Sequence, residues 1–99
     1  MTPEEVISAA SDMNENGDYE IQLMEPQEQF NPCLVGLVER FNDVFVVYSK
    51  KCILAALEAE MDPDPEYPPD LAAREHYSFN IVGGWVGDGT PAFMLDEEV

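Results

Sequence analysis

Cys52 follows Lys50 and Lys51 in what reads as the first turn of a helix. Positive charge and the N-terminal end of a helix dipole both favour a thiolate there, which is the setting of a reactive cysteine or thiol-based sensor. The same position also faces inward on that helix, and free cysteine is among the most buried residue types, so a core thiol is the plainer reading. Cys33, after Asn31-Pro32, adds no separate signal. His76 is the single histidine and has Glu75 beside it. Neither a nucleophile nor a second acid can be placed near it from sequence, and a helix-surface or capping role fits it. Two cysteines and one histidine fall short of a zinc ligand set without carboxylate help. The chain is therefore expected to be non-enzymatic, with no catalytic residue and no cofactor.

Two further patterns invite a ligand. Asp12, Asn14, Asn16 and Gly17 match the first half of an EF-hand calcium loop, but its twelfth position is Leu23 where a bidentate Glu belongs. Glu20 offers a nearby oxygen, so weak calcium binding stays an alternative to a plain helix-ending turn of Asn and Gly. Gly83, Gly84, Gly87 and Gly89 give neither a dinucleotide-binding nor a P-loop spacing, and no lysine follows them. Turn geometry beside Trp85 accounts for them better than a phosphate cradle.

Charge is the outlier of the composition. Twenty-one Asp and Glu stand against four Lys and Arg, a formal net charge of -17 on 99 residues, where solubility of a small domain asks for a magnitude of about 2 to 8. Such a surface repels nucleic acid and anionic membranes and draws basic partners by steering that salt weakens. The densest run holds Glu58, Glu60, Asp62, Asp64, Glu66 and Asp70 with no base among them, and Tyr67 as an aromatic anchor. These seven residues are the candidate partner-binding set. In extended backbone the acids of this run turn onto different faces, so carboxylates standing in for phosphates would also need the folded surface. That surface includes the eight acids and no bases of residues 1–30.

The elements that position these groups can be read in outline. "TPEE" is a capped helix start, with Thr2 as N-cap and Glu5 closing a capping box, and Val6, Ala10 and Met13 follow at helical spacing. "DYEIQLM" (residues 18–24) alternates like a half-buried strand, and residues 25–32 read as a loop. "CLVGLVERF" and "VFVVYS" make a hairpin about Asn42-Asp43, after which Ser49 caps a helix with Cys52, Ile53, Ala56 and Leu57 inward. Residues 62–70 form an acidic, proline-rich loop, and Asp70 caps a short helix to about Tyr77. "FNIVGGWVG" and "PAFML" read as strands of a second hairpin turning at residues 87–90, and residues 96–99 as a frayed acidic tail. The sum is one small α+β domain over residues 1–99, an antiparallel sheet packed by two or three helices. No apolar run approaches a membrane span, and two cysteines do not make a secreted framework, so a reducing cytosol is the expected setting.

From Arg40-Phe41 through Val46-Val47-Tyr48 and Lys51-Cys52, then Glu75, Phe79-Asn80, Gly83, Trp85-Val86-Gly87, Thr90-Pro91 and Phe93, the chain resembles small uncharacterised proteins of phages and prophages. The likeness covers about the last 60 residues. It implies a viral setting, hence a host cytoplasm, and a shared fold, but no catalytic residues. Ser49 stands where an acid is usual in that family, and the 62–70 insertion is longer and richer in proline than expected.

Charge and resemblance together lead to an interaction protein that blocks a basic, nucleic-acid-binding surface of a host defence or DNA-processing protein, in the manner of an anti-CRISPR or other counter-defence DNA mimic. Its partner is expected to be a basic protein, with no direct nucleic acid and no membrane. The protein itself is expected to be a monomer or homodimer.

Overall fold

The computed structural model describes residues 2–17, 20–40, 43–61, 66–82 and 90–96. Helix α1 (Pro3–Glu15) begins where the sequence places it. The Glu5 N–H donates to the Thr2 hydroxyl at 3.2 Å, and the Thr2 N–H donates to the Glu5 carboxylate at 2.9 Å. The helix stops at a glycine in the left-handed region. Gly17 has φ +78° and donates its N–H to the Asn14 carbonyl at 3.1 Å.

The chain then departs from the expected strand. Residues 20–24 form no ladder, because the backbone of Ile21 is already satisfied by a side chain. Asn14 accepts from the Ile21 N–H at 2.8 Å and donates its amide to the Ile21 carbonyl at 3.0 Å. The expected loop that follows is partly helical: α2 (Gln27–Phe30) runs into a 3-10 turn at Asn31–Cys33. The Gln29 amide ties α2 to the Ala56 carbonyl at 3.3 Å.

Strands β1 (Leu34–Arg40) and β2 (Asp43–Ser49) form the expected antiparallel hairpin. A register shift between Leu34 and Gly36 leaves Val35 as a bulge residue. Along β2 the side chains of Val44, Val46 and Tyr48 are buried, a period of two that sets its core face. Ser49 then caps α3 (Lys50–Glu60), which buries Ile53, Leu54 and Leu57. Helix α4 (Pro69–His76) starts one residue earlier than its expected cap: Pro68 holds the N-cap position, so Asp70 lies inside the first turn.

Two expectations about the C-terminal third are corrected. Tyr77–Val82 continues α4 as a wide π-helical turn, so the first part of "FNIVGGWVG" is helical; the rest of that stretch, with the glycine cluster and residues 87–89, lies outside the described residues. Strand β3 (Ala92–Met94) does form, but it pairs parallel with β2 through Val47↔Ala92, Tyr48↔Phe93 and Ser49↔Met94. The sheet is thus mixed, in the order β1-β2-β3. An α+β domain of helices and one small sheet is confirmed.

Tyr48 sits at the centre of the core with no exposed surface. Its ring stacks on Phe93 at 6.1 Å, and Phe93 meets Tyr77 edge-on at 5.4 Å. Its hydroxyl accepts from the Met24 N–H at 2.8 Å, and burial raises it above the ordinary tyrosine range. No helix among the described residues is long and apolar enough to cross a membrane.

Candidate partner-binding surface

Five of the seven residues singled out from sequence lie within the described residues, at the end of α3 and the start of α4. Glu58 and Glu60 occupy the last turn of α3; Glu66 and Tyr67 precede α4, and Asp70 lies in its first turn. Glu60, Glu66, Tyr67 and Asp70 are exposed and Glu58 is half-buried, while Asp62 and Asp64 lie outside the described residues. Leu71, 45% exposed, stands beside Asp70 and adds a second apolar group to the 39% exposed Tyr67. The Tyr67 hydroxyl donates to the Glu75 carboxylate. That bond raises Tyr67 above the ordinary tyrosine range, with the Glu75 charge acting in the same sense. It also holds the ring by its Glu75 partner, as an anchor that needs little further ordering on contact.

The electrostatics of this end are unfavourable to the fold. Helix α3 carries Glu58 and Glu60 in its last turn and no base there. Negative charge at a helix C-terminus opposes the macrodipole at about 0.3–1 kcal/mol per group. Glu15 repeats the arrangement at the end of α1. No charged residue is buried among the described residues, so their acids all reach solvent. They are spread over a body of 50 × 26 × 23 Å. Taken for the whole chain, the formal charge of -17 is roughly one net negative charge per 3 Å of that long axis, against one per about 1.7 Å of duplex DNA.

Cys52 is placed differently from either of its sequence readings. Its sulfur is bonded to that of Cys33, and the protein has no free cysteine. The Cα atoms are 5.4 Å apart across a separation of 19 residues, because the β1–β2 hairpin returns the start of α3 to the 3-10 turn before β1. Neither the core thiol expected there nor the thiolate that was its alternative exists while this bond stands. The cysteine count therefore no longer argues for a reducing setting.

His76 is exposed at the end of α4 and lines a cleft of about 410 Å³ with Glu25, Thr90, Phe30 and Phe93. The calcium-like residues are separated in role. Asp12 and Asn14 are on α1, and the Asn14 carboxamide is engaged at both ends by Ile21. Among the described residues no three His, Cys, Asp or Glu side chains gather as a metal ion would need.

Asp96, which the sequence places in a frayed tail, is instead an ordered cap. Its carboxylate accepts from the Ser49 hydroxyl at 2.5 Å and from the Lys51 N–H at 2.9 Å. Those two bonds, the hydroxyl first, hold it below the ordinary carboxylate range. The acids at 15, 25 and 28 were legible only as part of a base-free first third.

The fold and surface define a small acidic α+β protein with charge as its dominant chemical feature. No protein-family model, curated protein or solved structure matches the chain.

Proposed function

We propose that this protein is an interaction protein of phage type that binds and blocks a basic, nucleic-acid-binding surface on a host defence or DNA-processing protein. One observation carries the reading: a formal charge of -17 on the chain, with every described carboxylate reaching solvent and some of them kept at helix C-termini where they cost stability. A surface shaped by solubility alone would place its acids at helix N-termini and intersperse bases.

Blocking works by occupation. The carboxylates take the place of backbone phosphates on the partner, and Tyr67 and Leu71 supply the desolvated contact that holds the complex once electrostatic steering has formed it. The protein acts as a monomer or homodimer, without a cofactor, and contacts neither nucleic acid nor membrane. The setting is the host cytoplasm, where reductants would hold Cys33 and Cys52 as thiols; the reading requires that the reduced protein still fold and bind.

The test is retention of host proteins on the tagged protein, challenged with duplex DNA and rising salt. A nucleic-acid-binding complex that is retained and then displaced by both supports the reading. Retained proteins that ignore both contradict it.

A further inference from the structure

Two hollows flank α1 on its side towards α2. One, of about 500 Å³, has Glu15 and Glu25 on its rim; the other, of about 650 Å³, has Glu4 and Glu28. Ile7 and Gln27 line both, so the two hollows adjoin and together form a grooved face along α1. From Glu4 to Glu15 the helix rises about 16 Å, the reach of roughly five extended residues or three helical turns of another chain.

Ile7, Ala10 and Leu23 give the Glu15 half an apolar lining, Ile7 and two prolines give the Glu4 half its own, and no lysine or arginine lines either half. The bases of the chain stand elsewhere: Arg40 ends β1, Lys50 and Lys51 begin α3, and Arg74 is on α4. The rim therefore gathers acids without a counter-charge of its own groove, the Glu25 carboxylate accepting only from the neutral Gln27 amide at 3.2 Å among the bonds seen there. At the Glu28 end, the buried Oδ1 of Asn31 has no hydrogen-bond partner among the described residues, which adds an acceptor lacking a donor.

We infer that the groove between α1 and α2 docks a basic amphipathic segment of the partner protein, its Arg or Lys side chains on Glu4, Glu15, Glu25 and Glu28 and its apolar side chains on Ile7. This rests on the proposed function for the basic character of the partner, and it adds a second contact surface to the α3–α4 end. Charge complementarity selects a cationic occupant, and the apolar lining selects one that alternates cationic with apolar residues. A duplex or an anionic membrane is repelled by the same rim.

The probe is a twelve-residue peptide of arginine and leucine in amphipathic order, compared with one of arginine and serine. The arginine–leucine peptide is expected to bind about tenfold more tightly, from its leucines on Ile7. Combining Glu15→Gln, Glu25→Gln and Glu28→Gln, all at exposed positions, is expected to weaken it by about tenfold. The equal neutralisation Glu58→Gln, Glu60→Gln and Glu66→Gln is expected to change it by less than about threefold. Equal loss in both sets, a larger loss in the second, or no preference for leucine would overturn the groove. The proposed function would still stand or fall separately, on displacement of the captured host protein by duplex DNA. Ile7→Ala, checked for folding by circular dichroism, should remove the preference for leucine while keeping the arginine-dependent part; a preserved preference would also overturn the inference.

Discussion

The carboxylate of Asp96 caps the helix that begins 46 residues before it: it accepts from the Ser49 hydroxyl and from the Lys51 N–H, while the same hydroxyl accepts from the Cys52 N–H at 3.1 Å. An ordinary N-cap is local. Here β3, paired in parallel with the end of β2, carries the second capping group in from the far end of the chain. One helix start is thus fixed by local sequence, by the third strand and, through Cys52, by the disulfide.

That arrangement makes stability depend on acid. Asp96 has a folded-state pKa below its unfolded value, so its contribution is present above the unfolded value of about 3.9 and is lost as pH falls through the lower folded one. Asp96→Asn should melt below the parent at pH 7. The gap should narrow as the pH is taken below about 4 in parallel thermal melts, and a gap that does not depend on pH would leave the cap without an ionic part.

The disulfide closes a loop already closed by a hairpin. A loop of about 20 residues corresponds to about 3 kcal/mol in the chain-entropy picture, and the β1–β2 pairing reduces what the bond adds to the native protein. Reduction is expected to lower the denaturant midpoint yet leave a cooperative transition. Loss of cooperativity on reduction would mean that the fold needs the bond, and would remove the host cytoplasm as its place of action.

Glu58 and Glu60 should trade stability against association. Replacing both with Lys, which the dipole at the end of α3 favours, is expected to raise the melting temperature by a few degrees. The same change should slow association with the basic partner and flatten its salt dependence in stopped-flow or biosensor traces. A stabilised variant with an unchanged association rate would remove the α3–α4 end from the interface.

Tyr48→Phe leaves the Met24 N–H without its acceptor in a half-buried place. A loss of about 1–2 kcal/mol in chemical denaturation is expected, with the ring contacts to Phe93 kept. A neutral result would mean that the Met24 N–H finds another partner.

Where structure is decided by near neighbours, the sequence could be read. Thr2, Pro3 and Glu5 announce α1; Ser49 and the apolar spacing after it announce α3; alternation of Val44, Val46 and Tyr48 announces β2. Where a distant group decides, it could not. The alternation of residues 19–24 resembles a strand, but the Asn14 carboxamide takes the Ile21 backbone groups a ladder would use. "PAFML" was legible as a strand, yet nothing local says that it pairs in parallel with β2. Cys33 and Cys52 carry no motif, and only the hairpin brings them together. The acidic α3–α4 end was visible because its residues lie close together in the sequence. The groove along α1 was not, because Glu4, Glu15, Glu25 and Glu28 come together only after folding.

The central claim is that the acidic surface and a nucleic acid compete for one site on a basic partner. The direct measurement is displacement of a labelled duplex from the captured host protein by this protein, followed by fluorescence anisotropy at several salt concentrations. The account predicts full displacement, with no species holding both ligands and affinity that falls steeply with salt. A stable ternary complex with duplex still bound would contradict it.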